Sequence, residues 1–200
     1  MKLTRRASLL AALLPLAAHA QNTEAAAPIQ ALCQALTQVA RAGRTTPFMQ
    51  RYNMLAPAID GAIDLPGILQ LAVGAARWRA LPPNEQTALL DVFRKFTVAS
   101  YVSNFTNGER FEVLPESRTL GSDQVVATRV VPTNDTPTRL DYVMRRTQAG
   151  WRAVDVLLDG SISQVAVYRS DWRASLASGA GPLIANLQAK VASLSGGALR

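Results

Sequence analysis

Residues that could perform acid–base or metal chemistry are sparse in this sequence. The 200-residue chain contains one histidine, His19, and one cysteine, Cys33. His19 lies in an N-terminal segment that we expect to be removed, which would leave the mature chain without histidine. Ser-His-Asp and Cys-His relays need an imidazole as general base, and zinc and copper sites are commonly built on histidine. We therefore exclude these enzyme classes and His-built metal sites for the mature chain.

Paired carboxylates are the remaining route to hydrolysis. Three pairs lie close together in the sequence: Asp60 with Asp64, Glu109 with Glu112, and Asp155 with Asp159. The first pair suits a turn and a helix cap, the second flanks a strand start, and the third closes a hairpin. A glycosidase pair must converge across a cleft at about 5 to 9 Å, which spacing along the chain does not show. We therefore predict no enzyme, no catalytic residue, no metal and no cofactor, with a carboxylate hydrolase as the alternative.

The first twenty residues have the organisation of an export signal. Lys2, Arg5 and Arg6 precede an apolar run over residues 7–18, and small residues at 18 and 20 provide a cleavage point. We predict that residues 1–20 are a signal peptide and that the mature protein, residues 21–200, is periplasmic. The adjacent Arg5 and Arg6 leave export in the folded state by a twin-arginine signal open beside the general secretory route.

The charge of the mature chain is mildly basic. Loss of three basic residues from the 21 in the chain leaves 18 against 14 acidic residues, a net charge of +4. The arginines are scattered, without the basic and aromatic interleaving that follows a nucleic-acid backbone, so we expect no nucleic-acid partner. A lone cysteine permits no intramolecular disulfide, and a chain of this size can bury one substantial core. We predict a single domain over residues 21–200.

The N-terminal half has the periodicity of amphipathic helices. We predict one helix opened by Pro28 and stopped by Gly43, and a short one from Pro47 to about Pro57, followed by a turn at residues 60–61. Further helices are predicted over residues 65–79, where small and large apolar residues mix, and over residues 84–107. These helices could pack against the apolar face of a sheet and cover it.

Four strand patterns follow at hairpin spacing, over residues 110–115, 124–131, 139–146 and 151–158. In the fourth, Val154, Val156 and Leu158 alternate with polar neighbours, which predicts an antiparallel sheet with one apolar face. Apolar residues at 162, 165, 168, 172 and 176 favour a helix capped by Ser161 or Ser163, although a strand over residues 162–168 stays open. A last helix is predicted from Pro182 to Leu194.

The chain thus offers a one-sided sheet, several amphipathic helices, and Tyr, Trp and Met side chains where the two layers would meet. Composition alone does not distinguish a solid core from a ligand cavity at that interface, and a solid core is the more common outcome. A structural or interaction module of the envelope is therefore the alternative to a binding protein.

Three stretches in order resemble one known family. They are Phe48-Met49-Gln50-Arg51-Tyr52 through Leu55-Ala56-Pro57, then Tyr101 through Asn107-Gly108-Glu109-Arg110-Phe111, and Trp151-Arg152-Ala153-Val154-Asp155-Val156 through Asp159-Gly160-Ser161-Ile162-Ser163 to Arg169-Ser170-Asp171-Trp172. Together they are similar to the MlaC, or toluene-tolerance, family. The last stretch is more similar to a branch associated with hopanoid biosynthesis. The bound lipid could therefore be a hopanoid or another apolar lipid as well as a glycerophospholipid.

The resemblance implies an α+β fold, a twisted four-stranded antiparallel sheet wrapped by helices, with an apolar cavity between them. It implies a periplasmic phospholipid carrier, the soluble component of an ABC lipid-transport system that maintains outer-membrane lipid asymmetry. Its partners would be an inner-membrane ABC complex with an MCE-type subunit and an outer-membrane lipoprotein. On this hypothesis we expect the lipid pocket to be lined by Ile68, Val73, Phe93, Phe96, Val126, Val130, Tyr142, Met144, Val154, Val156, Val165, Tyr168 and Trp172.

Overall fold

The computed structural model describes residues 23–199, so the predicted signal peptide lies outside the described residues. The helices are α1 (Thr23–Ala42), α2 (Phe48–Ala62), α3 (Leu65–Val73), α4 (Ala75–Ala80), α5 (Pro83–Asn104), α6 (Gln164–Asp171) and α7 (Gly181–Leu194). The strands are β1 (Arg110–Leu120), β2 (Asp123–Val131), β3 (Thr138–Thr147), β4 (Gly150–Leu158) and β5 (Ile162–Ser163). The predicted α+β class is confirmed. Within residues 23–199, no helix has both the length and the apolar character needed to cross a bilayer.

The strands form one antiparallel sheet in the order β1-β2-β3-β4-β5. The predicted meander of four strands is confirmed, and the short β5 adds a fifth. The helix predicted to bury Ile162 is wrong at its start, because Ile162 pairs with Leu158 in the sheet and is 51% exposed. The helix begins one residue after Ser163, whose side chain caps it by accepting a hydrogen bond from the Ala166 amide at 3.0 Å.

Two helix boundaries predicted from proline are wrong. Pro28 lies inside α1 and Pro57 lies inside α2, so α1 starts at Thr23 and α2 continues to Ala62 through the predicted turn. Proline removes one helical hydrogen bond without preventing the flanking turns from packing. Tertiary burial compensates here, because the flanking turns bury residues on the core-facing side of both helices.

The single helix predicted over residues 65–79 is also wrong, since the chain breaks it into α3 and α4. The break lies at Gly74, which has φ +90°, a conformation that disfavours residues with a side chain. Asp64 caps α3 as predicted, with its carboxylate accepting from the Gly67 amide at 3.0 Å. The α2–α3 junction also touches the sheet, where the Asp64 amide donates to the Ala153 carbonyl at 2.9 Å.

The core lies between the sheet and the helices. Helix α1 crosses β1 to β4, helices α2, α3 and α6 cover β4, and α5 packs behind them against α7. The sheet contributes Val126, Tyr142, Met144 and Ala153 to this core. These buried side chains fix the sheet face on which a cavity could form.

A bulge in β4 changes which side chains face that core. Met144 pairs with Ala153, whereas the preceding Val143 pairs with Asp155, so Val154 is the extra residue. The prediction that Val154 shares the core-facing side of β4 with Val156 is therefore wrong. Val154 instead packs with Val143 and Leu157 in a second, separate cluster.

Candidate functional site

A cavity of about 210 Å³ lies between α3, α5, α6 and the β3–β4 part of the sheet. Its wall consists of Ile63, Leu65, Ile68, Phe93, Thr97, Ser100, Tyr101, Asn104, Phe105, Leu140, Asp155, Val156, Gln164, Val165 and Tyr168. Three helices and two strands thus converge on one space that the protein's own side chains leave unfilled.

The floor of the cavity is apolar and its rim is polar. The most deeply buried wall residues are apolar, among them Ile63, Ile68 and Phe93, which is 1% exposed. Asn104, by contrast, is exposed, and Gln164 is half-buried. The cavity therefore opens near the end of α5 and the start of α6, with apolar surface below a polar mouth.

Stacked aromatic rings form one end of the floor. Tyr168 stacks on Trp172 with centroids 4.6 Å apart, and the Phe93 ring meets both edge-on at 5.8 and 5.6 Å. Such edge-to-face contacts each contribute about 0.5–1.5 kcal/mol beyond area burial. Burial also raises the pKa of the Tyr168 hydroxyl, so this residue stays neutral. The cluster joins α5 to α6 at this end of the cavity.

A pair of tyrosines joins the wall, at Tyr101, to the core behind it, at Tyr142. The Tyr142 hydroxyl is buried and has no hydrogen-bond partner within the described residues. The Tyr101 side chain interacts with that of Tyr142, and burial raises the pKa of both hydroxyls. Both tyrosines are therefore uncharged at neutral pH, and neither supplies an anion to the cavity.

The structure places the thirteen predicted site residues in three environments. Five line the cavity: Ile68, Phe93, Val156, Val165 and Tyr168. Seven lie in or against the adjoining core without forming the wall: Val73, Phe96, Val126, Val130, Tyr142, Met144 and Trp172. Val154 lies in the second cluster, because the bulge in β4 turns it away from the cavity side of the sheet. Contact of any of these residues with lipid stays a prediction.

Sequence reasoning predicted Phe93 of α5 in the wall but missed the other α5 residues that line it. Thr97, Ser100, Tyr101 and Asn104 occupy positions i, i+3, i+4 and i+7 of the helix, which lie on one face, and all four line the cavity. Polar residues that recur at helical spacing, on a helix that also has an apolar face, are the sequence pattern that could have identified these wall residues. The deepest member, Thr97, satisfies its hydroxyl by donating to the Phe93 carbonyl at 2.9 Å.

The carboxylates considered for catalysis have structural contacts. Asp60 forms a two-point ion pair with Arg94, with its nearest oxygen 2.6 Å from Nη2, rather than a turn. Glu109 accepts from the Asn107 amide at 2.8 Å, and Glu112 pairs with Arg129 at 2.7 Å. Asp155 is the one carboxylate of the three pairs that lines the cavity.

Comparison with known proteins gives two matches of interest. A family model described as MlaC protein matches residues 30–189. The chain is also similar in structure to a phospholipid-binding protein from Ralstonia solanacearum, solved in complex with a phospholipid, with a TM-score of 0.70 and 21% sequence identity. That similarity covers 86% of this chain and 99% of the Ralstonia chain. None of the curated proteins compared matches this chain.

Proposed function

We propose that this protein, which belongs to the MlaC family, is a carrier that holds the acyl chains of a phospholipid between its sheet and its helices. The observation that carries the proposal is the cavity itself, an unfilled space with an apolar floor and a polar mouth. The Ralstonia protein, which shares the fold and binds a phospholipid, supports the same assignment. Binding and release, rather than catalysis, account for the side chains present.

The volume of the cavity sets how much hydrocarbon it can hold in this conformation. The cavity of about 210 Å³ is smaller than the roughly 300–1,000 Å³ typical of ligand pockets. A phospholipid with two long tails, about 30 methylenes in all, is a large ligand by comparison. We infer that the sheet and the helices move apart around a bound lipid.

The energetics explain why a carrier would be needed. Each methylene moved out of water contributes about 0.8 kcal/mol, so a bare two-tailed lipid faces a barrier of roughly 20 kcal/mol or more to cross an aqueous space. A protein that encloses the tails removes that barrier. It can also release the lipid, because apolar burial is non-directional and the floor offers few hydrogen bonds to break.

We place the protein in the periplasm, exported by residues 1–20, as the soluble component of an ABC lipid-transport system. It would shuttle phospholipid between an inner-membrane ABC complex with an MCE-type subunit and an outer-membrane lipoprotein. These assignments are part of the proposal, and membership of the MlaC family supports them. A hopanoid in place of glycerophospholipid would change the cargo and leave the carrier role intact.

Lipid content is the direct test. Protein purified from its native envelope is denatured and extracted, and the extract is analysed by mass spectrometry. We expect about one lipid per chain for wild type. Ser100→Trp should carry little lipid, because Ser100 lies half-buried in the wall and the larger indole would occupy the cavity. The Ser100 hydroxyl makes no hydrogen bond within the described residues, so the substitution breaks none.

Thr87→Trp is the matched control, an equally large change at an exposed position in the first turns of the same helix, outside the cavity wall. It should fold and carry lipid like wild type, with folding checked by circular dichroism. A wild-type extract without lipid would refute the carrier proposal. Full lipid content in Ser100→Trp would show that the tails lie elsewhere.

A further inference from the structure

Two large apolar side chains are exposed side by side on the hairpin that joins β4 to β5. Leu158 is 40% exposed and Ile162 is 51% exposed, and the two residues are register partners in the sheet. We call this pair the hairpin patch. A single exposed apolar residue is common on protein surfaces, but an adjacent pair beside a cavity is a candidate for contact with an apolar ligand.

The hairpin patch continues the cavity wall across the sheet. On β4, Val156 lines the cavity and Leu158 lies two residues further on, which places both side chains on the same face. On β3, the register partner of Leu158 is Leu140, which also lines the cavity. Ile162 extends the row to the outer strand. One apolar row, two strand spacings or about 10 Å long, therefore runs from the cavity wall to the surface.

The hairpin is held in place by hydrogen bonds, so the exposure of the patch is built into the fold. The Asp159 amide donates to the Arg139 carbonyl at 2.9 Å. The Gly160 carbonyl accepts from the Arg118 guanidinium at 2.6 Å. Directly after the hairpin the chain enters α6, whose first two residues line the cavity. The patch is therefore fixed next to the cavity at the start of α6.

The cavity is small for the proposed cargo. Its volume of about 210 Å³ lies below the range typical of ligand pockets, whereas two long acyl tails bring about 30 methylenes. Any methylene left outside the cavity would lie in water unless the surface beside the cavity is apolar. The hairpin patch is such a surface, and it is continuous with the wall through Leu140.

We propose that the hairpin patch binds part of an acyl chain of the carried phospholipid, which leaves the cavity past Leu140 and lies along Leu158 and Ile162. The inference rests on the proposed function and adds to it a lipid contact outside the cavity. Each methylene that moves out of water contributes up to about fourfold in affinity. Because apolar contact is non-directional, the chain can also slide along the row as it enters or leaves.

Photo-crosslinking tests this contact directly. The photoreactive residue p-benzoylphenylalanine replaces Ile162 in one preparation and Leu120 in a second, each in mature protein loaded with palmitoyl-oleoyl phosphatidylglycerol. Leu120 is the matched control, because it is 53% exposed on β1 and its register partner is Asp123, which does not line the cavity. After irradiation, peptide mass spectrometry should find a lipid adduct on the acyl chain for position 162 and none for position 120.

Two results of this experiment are decisive in different ways. Loaded protein that gives no adduct at position 162, or as much adduct at position 120, would overturn the hairpin patch and leave the carrier role standing. Wild-type protein that takes up no phospholipid would instead refute the proposed function.

Polar substitution measures how much the patch contributes. Leu158→Thr combined with Ile162→Thr removes apolar contact, and threonine keeps the preference for a strand. Loaded double variant should lose phospholipid to excess acceptor vesicles about four- to fifteenfold faster than wild type, the equivalent of one or two methylenes, since affinity changes appear mainly in the dissociation rate. Leu120→Thr should release lipid like wild type, with folding of each variant checked by circular dichroism. Equal release rates for wild type and the folded double variant would overturn the patch as a binding surface.

Discussion

Phe93 provides a thermodynamic test of whether lipid reaches the cavity floor. Its ring is 1% exposed, lines the cavity and contacts Tyr168 and Trp172 edge-on. Replacing a buried phenylalanine by alanine costs about 3–5 kcal/mol through lost transfer energy and the space left behind. We expect Phe93→Ala to lower the free energy of unfolding of the lipid-free protein by that amount.

The loss should be smaller with lipid bound. Hydrocarbon entering the space of the missing ring would bury three or four additional methylenes, worth about 2–3 kcal/mol at 0.8 kcal/mol each. The lipid-loaded variant would then lose only about 1–2 kcal/mol. The difference between the two states is a coupling energy between the Phe93 ring and the lipid.

Urea unfolding followed by tryptophan fluorescence measures both values, because Trp172 lies against the Phe93 ring. Leu187→Ala is the matched control, since Leu187 is fully buried in α7 and does not line the cavity. The Leu187→Ala substitution should lower the free energy of unfolding by about 2–5 kcal/mol, and by the same amount with and without lipid. If Phe93→Ala costs the same in both states, lipid does not reach this wall. Should the variant fail to fold, the milder Phe93→Leu repeats the comparison.

Two buried groups away from the cavity give further predictions. Tyr142→Phe should leave the free energy of unfolding unchanged or raise it by up to about 1–3 kcal/mol, because it removes a buried hydroxyl without a partner; a loss of more than 1 kcal/mol in urea unfolding would show a missed hydrogen bond. Burial raises the pKa of the Cys33 thiol from 9.0 to about 12, so a thiol reagent at pH 8 should modify folded protein far more slowly than protein in urea. Because the unfolded thiol ionises first, its contribution to stability is present below about pH 9 and lost between pH 9 and 12; Cys33→Ala should reduce that alkaline loss, and rapid modification of the folded protein would contradict the burial.

The strands and the long helix could be predicted closely from the sequence, and the errors have particular causes. Strand β1 runs on to Leu120 past the predicted end at Pro115, because the chain resumes pairing with β2 after an irregularity between Val113 and Ser117. Proline cannot donate to the ladder, and here the ladder is interrupted around it rather than ended. Proline residues were interpreted as the ends of helices and strands, whereas long-range pairing and burial decide how far an element continues.

The orientation of Val154 could not be predicted, because one inserted residue in β4 changes the face of each residue beyond it. Strand periodicity fixes a face only while the register is unbroken. The bulge is visible only in the pairing of Val143 with Asp155, on a different strand. Asp155 was assigned to the polar side of β4 by the same alternation, and the structure instead places it in the cavity wall.

Whether the interface is a core or a cavity is decided by the polar residues within it. Apolar side chains such as Ile68 and Phe93 would occur in either case. Ser100, which is half-buried, would not be placed at a solid interface without a partner, because an unsatisfied polar group there costs about 1–3 kcal/mol. Beside an open space, the same group can bond to water or to a ligand at no such cost. Polar residues at core spacing, without partners inside the protein, therefore indicate a binding cavity more specifically than any number of apolar ones.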